Sequence, residues 1–172
     1  MGSVRLATVR HEPGQGLAMT EAGADAAAAR RSFAVAAFNS AWELIDKEQR
    51  SPAEDRQMLT LAFASRWHWS EVGTAENMAI ADWQVAHVAS LIGEPSLALA
   101  FAQAAYDASR GEELPDWLRA STAEGLARAY ACAGDRASYE RFRDEARELV
   151  DKLEEEEDRE LILGQLASIA VP

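Results

Sequence analysis

The strongest constraint on this sequence is the spacing of its apolar side chains, which recur every three or four residues in one segment after another. The clearest run consists of Met78, Ala81, Val85, Val88 and Ile92. That period places the apolar residues on one face of an α-helix. The chain also holds 36 alanines but only 18 valine, isoleucine and threonine residues, a balance that favours helices over strands. The sequence therefore predicts an all-α protein.

Capping residues mark where individual helices begin. Ser51 and Glu54 have the spacing of a capping box, and Pro52 suits the first helical position, so a helix is predicted to start there. Thr74 and Asp135 precede two later periodic segments and are predicted to cap them. Together with the glycines between the periodic segments, these signals predict about seven helices.

The helices are separated by short connections, which favours consecutive antiparallel hairpins in one all-helical domain over residues 23–172. Residues 97–108 are apolar on nearly every side of their helix, so this fourth helix is predicted to be the central one. Residues 1–22 show no helical period and contain several glycines and a proline. We expect them to form an N-terminal arm, flexible or irregular.

Residue types recur at matching positions around Gly93 and Gly134, which lie 41 positions apart. Ala86 precedes the first glycine and Ala127 precedes the second at the same distance. This pattern resembles the tetratricopeptide repeat, in which small residues let the two helices of a hairpin approach closely, although the usual period of that repeat is about 34 residues. The resemblance implies a right-handed, tetratricopeptide-like stack of hairpins.

A second resemblance rests on several short segments taken together. They are similar to a family of uncharacterised bacterial helical proteins with tetratricopeptide-like hairpins, and the similarity extends over residues 38–170. The resemblance implies a helical fold and no established activity. The segments are residues 64–69, 72–74, Asn77, 83–84, 125–129 and 158–161.

The charge of the chain restricts its partners. Its 29 acidic and 17 basic residues give a formal net charge of −12, which argues against nucleic acid and anionic membranes, since both are bound mainly by Lys and Arg. No uninterrupted apolar run approaches the roughly 18 residues that a membrane span requires. We therefore expect a cytoplasmic protein with no nucleic-acid partner and no membrane segment.

Polar and aromatic residues of the second and third helices are the candidates for a functional site. His68 is a possible general base, and antiparallel packing could bring Arg66 and Asn77 towards it. The spacing of the polar residues fits none of the usual zinc patterns, so neither a metal nor a cofactor is expected. The candidates are Arg66, Trp67, His68, Trp69, Glu71, Asn77, Trp83 and His87.

Two functions remain open at this level. The first is a non-enzymatic interaction module that binds a protein or peptide partner, or a second copy of itself as a homodimer. The second is a small ligand-binding protein or enzyme with a pocket between helices two and three around His68. The sequence favours the first, because it has no glycine-rich phosphate loop, no nucleophile elbow and no Cys-x-x-Cys pair.

Overall fold

A computed structural model describes residues 21–111 and 113–172, and these residues form helices without any strand. The predicted all-α class is confirmed for this part of the chain. Most of the arm predicted for residues 1–22 lies outside the described residues, but its last two belong to the first helix. The seven helices are α1 (Glu21–Ile45), α2 (Pro52–Val72), α3 (Ala75–Leu91), α4 (Pro95–Ser109), α5 (Asp116–Cys132), α6 (Arg136–Val150) and α7 (Glu156–Ala167).

The predicted capping residues begin the helices as expected. The Ser51 side chain accepts a hydrogen bond from the Glu54 amide, and the Glu54 carboxylate accepts one from the Ser51 amide, which completes the capping box of α2. Thr74 forms the same reciprocal pair with Asn77 at the start of α3. Asp135 accepts from the Ser138 amide at the start of α6. Each cap satisfies amides that have no partner inside their own helix.

Two consecutive hairpins of the fold have the same dimensions. Helices α3 and α5 each contain 17 residues, and α4 and α6 each contain 15. The turns within these hairpins hold Gly93 at φ 76° and Gly134 at φ 75°, a left-handed conformation that favours glycine. After each glycine, the amide of Glu94 or Asp135 donates to the carbonyl five residues earlier, at 2.9 and 3.0 Å. Residues 75–109 and 116–150 are therefore two copies of one structural unit, 41 positions apart.

Helices that follow one another in the chain pack together. Helix α1 packs on α2, α3 on α4 and α5 on α6, while α2 with α3 and α4 with α5 join successive hairpins. Helix α3 also contacts α5, and α7 covers parts of α5 and α6. The described residues thus form a helical stack in which each hairpin lies beside its sequence neighbours.

The prediction that the fourth helix is central is wrong. Helix α4 buries only its alanines at 98, 102 and 105, together with Ser109. The central helices are α3 and α5, which are buried without interruption over residues 79–89 and 120–129. Helix α3 has neighbours in α1, α2, α4 and α5, whereas α4 packs mainly against α3 and α5. Phe101 and Tyr106 of α4 also reach α2 and α6, and much of the remaining α4 surface faces solvent. Because much of that surface is alanine, exposing it costs little.

Candidate functional site

The structure distributes the candidate residues over four places instead of collecting them in one pocket. Trp67, His68 and Glu71 lie on the outer side of the α1–α2 hairpin, and Arg66 reaches towards α3 and α4. Asn77 and Trp69 have local structural roles. Trp83 belongs to a buried polar cluster in the middle of the stack, which is described below, and His87 lies beside that cluster.

Exposed aromatic rings gather on the outer side of the α1–α2 hairpin. Phe33 in α1 is 60% exposed and Trp67 in α2 is 54% exposed. The His68 ring lies between them, with its centroid 5.5 Å from that of Phe33 and 4.7 Å from that of Trp67. Large apolar patches on a protein surface commonly mark interaction sites. We call the patch formed by Arg30, Phe33, Trp67, His68 and Glu71 the hairpin surface.

The hairpin surface also carries two opposite charges, one of which lies against its tryptophan. The Arg30 guanidinium lies 5.0 Å from the centre of the Trp67 ring, a cation–π arrangement. The same guanidinium is 3.8 Å from the Glu71 carboxylate, and about a third of the Arg30 side chain and nearly half of the Glu71 side chain remain exposed. Since an exposed ion pair of this kind stabilises a fold little, both groups are available to a partner.

Arg66 turns away from His68. It forms an ion pair with Asp82 of α3, and its guanidinium also lies 5.2 Å from the centre of the Phe101 ring in α4. Burial raises the pKa of Asp82, and the bond to Arg66 opposes that shift. Arg66 therefore links α2 to the next hairpin, and it does not share a pocket with His68.

Asn77 belongs to a helix cap and Trp69 to the hydrophobic core. The Asn77 side-chain oxygen accepts a hydrogen bond from the Thr74 amide at 3.0 Å, as part of the capping box. Trp69 is buried in a cluster with Ala34 and Ala81, two positions from the exposed Trp67. Two residues correspond to a rotation of about 200° around a helix, so these tryptophans occupy opposite sides of α2.

The buried polar cluster joins three helices through Trp83, Glu124 and Arg128. The Trp83 indole Nε1 donates to Glu124 Oε2 at 3.2 Å, and Arg128 Nε donates to Glu124 Oε1 at 2.8 Å. Arg128 then donates to the Gln165 carbonyl at 2.8 Å and to Ser168 Oγ at 2.9 Å, at the C-terminal end of α7. Glu124 is fully buried. A buried carboxylate needs such partners, because an unpaired charge in the interior is strongly unfavourable.

His87 lies beside this cluster and is 5% exposed. Its ring centroid is 5.5 Å from that of Trp42 in α1 and 5.5 Å from that of Trp83. Burial lowers the pKa of His87 well below its usual value, and the positive charges of Arg128 and Arg50 add to the effect. His87 is therefore neutral at physiological pH, with one nitrogen that donates and one that accepts.

The sequence analysis missed Glu124 and Arg128. A usable signal was present, because two opposite charges four residues apart interrupt the otherwise small and apolar segment from Ala123 to Ala129. The structural repeat points to the same two residues, because Glu124 and Arg128 lie 41 positions after the candidates Trp83 and His87. Large polar residues at equivalent positions of α3 and α5 face one another in the centre of the stack.

A cleft of about 290 Å³ lies away from all these residues, near the ends of α4 and α6 and the start of α5. Its groups bond to each other: the Tyr106 hydroxyl donates to Glu145 at 2.6 Å, and Arg110 donates to the Tyr106 oxygen. Burial raises the pKa of Tyr106, and the bond to Glu145 raises it further. The Arg119 guanidinium donates hydrogen bonds to the carbonyls of Ser109 and Gly111. The cleft is therefore lined by polar groups that already have partners.

Comparisons with protein-family models, with curated proteins and with solved structures found no match to this chain. Within residues 21–111 and 113–172, no helix has the length and apolar character needed to cross a membrane. The same residues contain no group of three or more histidine, cysteine or acidic side chains placed to hold a metal ion.

Proposed function

We propose that this protein is a non-enzymatic interaction module, a tetratricopeptide-like right-handed stack of antiparallel hairpins that acts in the cytoplasm. In this proposal its partner is a second copy of the same chain, bound through the hairpin surface. The single observation that carries the proposal is the exposure of Phe33 and Trp67 side by side on the first hairpin of the described stack.

The position of the hairpin surface supports a role in association. Helices α1 and α2 pack against α3 on one side, where Trp69 is buried, and Trp67 lies on the other side of α2. In repeat proteins the outer face of a terminal repeat is usually polar, since no further repeat covers it. An exposed phenylalanine and tryptophan on that face are better explained by a partner. Tryptophan and arginine are also among the residues that contribute most to protein interfaces.

The charges of the hairpin surface favour a second copy as that partner. Most homodimers are related by a twofold axis, which requires each surface to be complementary to itself. Arg30 and Glu71 carry opposite charges and lie 3.8 Å apart, with the Arg30 guanidinium beside the Trp67 ring. A twofold axis near Trp67 pairs Arg30 of one copy with Glu71 of the other, twice in one interface. The aromatic rings then form the apolar centre and the ion pairs form the rim.

The repeat architecture is supported by the matching hairpins at residues 75–109 and 116–150 and by their glycine turns. Short connections between helices that pack together are typical of antiparallel hairpins. The hypothesis of a pocket around His68 has less support, because Arg66 pairs with Asp82 and Asn77 caps α3. An interaction surface requires no such pocket.

Sedimentation equilibrium tests the proposal. At high concentration the wild-type protein is expected to have twice the chain mass of 18.7 kDa. Trp67→Ser and Phe33→Ser remove the apolar centre and are each expected to raise the dimer Kd at least about tenfold. Leu163→Ser is the matched control, because Leu163 is 45% exposed on α7, far along the stack. A wild-type protein that stays monomeric, or a control that weakens the dimer equally, contradicts the proposal.

A further inference from the structure

Helix α7 has the position of the first helix of a further structural unit. The offset that leads from the start of α3 at residue 75 to the start of α5 at residue 116 leads next to residue 157, and α7 begins at Glu156. Helix α5 packs on both helices of the preceding hairpin, α3 and α4, and α7 packs in the same way on α5 and α6. The described residues contain no second helix that pairs with α7 as α4 pairs with α3 and α6 with α5.

One face of α7 is exposed where the equivalent residues of α3 and α5 are buried. Leu161 is 38% exposed, whereas Ala79 and Ala120, which occupy its position in α3 and α5, are fully buried. Gly164 is exposed as well, and no described atom lies within 4 Å of its Cβ position. Residues three or four positions apart share one face of a helix. We call this face the α7 strip, and it consists of Glu157, Glu160, Leu161 and Gly164.

In α5 the equivalent face is covered by α6, the second helix of its hairpin. At one end of this face, the Tyr130 ring stacks on the Phe142 ring of α6 with centroids 5.4 Å apart. At the other end, Arg119 lines one cleft together with Glu145 and Leu149 of α6. Three fully buried alanines lie between these ends, at positions 120, 123 and 127. The α7 strip therefore corresponds to a face that binds a helix.

The α7 strip differs in charge from the equivalent face of α5. Arg119 of α5 lies near the end of α6, where Glu145 lines the same cleft. The residue at its position in α7 is Glu160, which has the opposite charge, and Glu157 lies one turn before it. Complementary charges help to determine which partner binds. A helix on the α7 strip is therefore expected to carry Lys or Arg near its C-terminal end, where the helix dipole also favours positive charge.

Negative charge is in excess around the start of α7. Residues 154–160 include six acidic side chains and one arginine, and this Arg159 is paired with Glu156. Burial raises the pKa of Asp158, and the charges of Glu155 and Glu157 raise it further. A basic partner would reduce this repulsion. Charge complementarity therefore favours a basic helix over a second copy of this chain, whose net charge is −12.

We propose that the α7 strip binds a basic amphipathic α-helix of another protein, which takes the place of a second helix beside α7. The apolar face of that helix lies on Leu161 and Gly164, and its basic C-terminal end lies beside Glu157 and Glu160. Helices α4 and α6 define this apolar face, because each buries four residues spaced three or four positions apart. The α7 strip belongs to the last helix of the described stack and the hairpin surface to the first two, so this binding does not depend on self-association.

A peptide derived from α6 is the probe for this site. It has the sequence of residues 136–150 with Glu145→Lys and Glu148→Lys, which keeps the buried face of α6 and makes its C-terminal end basic. Fluorescence anisotropy of the dye-labelled probe measures its Kd for the protein, and amide resonances of the protein show where it binds. The largest shifts are expected in α7. A control peptide with the further changes Tyr139→Ser and Phe142→Ser keeps the charge and is expected to bind at least about tenfold more weakly.

Two pairs of variants separate the α7 strip from general attraction to an acidic protein. Leu161→Ser is expected to raise the Kd of the probe about fivefold or more. Leu163→Ser is expected to leave it unchanged, because Leu163 is 45% exposed but lies about 200° around the helix from Leu161. Glu160→Lys is expected to weaken binding by a similar factor, and Glu48→Lys, at an exposed position after α1, is expected to have little effect.

The proposal is overturned if the probe does not bind, or if it shifts resonances elsewhere and not in α7. Equal effects of Leu161→Ser and Leu163→Ser, or of Glu160→Lys and Glu48→Lys, would also overturn it. The amide shifts are measured on the wild-type protein and so do not depend on how well a variant folds.

Discussion

Trp83 in α3 donates a 3.2 Å hydrogen bond to Glu124 in α5, and the two residues occupy equivalent positions of consecutive structural repeats, 41 residues apart. The bond is buried and links two helices of successive hairpins that are not consecutive in the chain. Gly125 makes this approach possible, because a Cβ at position 125 would lie only 2.8 Å from Trp83 Cδ1. The position of α3 against α5 is therefore defined by the bond between Trp83 and Glu124 and by the close approach that Gly125 allows.

Replacing Gly125 by alanine tests the close approach of the two helices. The added Cβ would lie 2.8 Å from Trp83 Cδ1, so the indole must shift and the bond to Glu124 must weaken. We expect a loss of about 1–3 kcal/mol in the free energy of unfolding, measured by urea denaturation. Gly164→Ala in α7 is the control, since nothing lies within 4 Å of its Cβ position. It is expected to stabilise by up to about 1 kcal/mol. Equal effects of the two changes would contradict this packing.

The pair Glu124–Arg128 is expected to behave as a coupled unit. Arg128→Met leaves the fully buried Glu124 without its charge partner and is expected to cost about 3–5 kcal/mol. Glu124→Gln removes the opposite charge. The double variant is expected to lose less stability than the two single losses combined, with a coupling energy of about 0.5–3 kcal/mol. Additive losses would show that the two side chains do not depend on each other.

His87 is expected to make the fold less stable as the pH is lowered. Its folded pKa lies well below the usual 6.5, so the unfolded chain binds a proton that the folded chain excludes. Its contribution is complete above about pH 6.5 and declines as the pH falls towards the folded pKa, by at most about 1.4 kcal/mol per pH unit. His87→Phe is expected to flatten this part of the curve in urea denaturation at several pH values. An unchanged slope would contradict the assignment to His87.

Glu54 is expected to make the stability of the fold depend on pH in a second, lower range. The bond to Lys47 and the bonds to Ser51 lower its pKa from 4.5 to about 2. Its stabilising contribution is present above pH 4.5 and is lost as the pH falls towards 2. The Glu54 range lies below pH 4.5, whereas the loss of stability caused by His87 begins near pH 6.5. Glu54→Gln is therefore expected to leave the change in the free energy of unfolding between pH 5 and 6.5 unaltered.

Asn77 is expected to contribute to stability and not to association. Asn77→Ala removes the acceptor for the Thr74 amide, and we expect a loss of about 0.5–1 kcal/mol in the free energy of unfolding. The dimer Kd is expected to stay the same, because Asn77 caps α3 and does not belong to the hairpin surface. Sedimentation of the variant checks this. A weakened dimer with unchanged stability would instead assign Asn77 to the interface.

Local features of the fold were predictable from the sequence, since they depend on residues close together in the chain. Ser51, Thr74 and Asp135 cap the helices they were predicted to cap, and Gly93 and Gly134 form the turns. Side chains at such positions act on amides and carbonyls within one turn of themselves. This is why periodicity and capping signals were sufficient for the seven helices.

Features that depend on distant partners were not predictable in the same way. The sequence placed Arg66 near His68, but its strongest partner is Asp82, 16 positions away on α3. Glu124 and Arg128 were not among the candidate site residues, because their partners are Trp83 on α3 and the end of α7. The apolar composition of α4 suggested a central helix, yet burial depends on how many neighbours a helix has.

The five tryptophans illustrate the same limit. Their spacing did not distinguish Trp69, which is buried, from Trp67, which is exposed two positions earlier. Only the arrangement of α1 and α3 around α2 decides which side of that helix faces solvent. The hairpin surface could therefore not be predicted from the sequence, because the packing of α1 on α2 brings Phe33 next to Trp67 and His68.

The most direct test of self-association through the hairpin surface is a mixing experiment with two charge-reversal variants. Arg30→Glu places two like charges opposite each other in a twofold dimer, and Glu71→Arg does the same with the opposite sign. Each variant alone is expected to sediment at the chain mass of 18.7 kDa. An equimolar mixture restores both ion pairs and is expected to sediment at twice that mass. Monomers in the mixture, under conditions in which the wild-type protein is dimeric, would contradict the proposed interface.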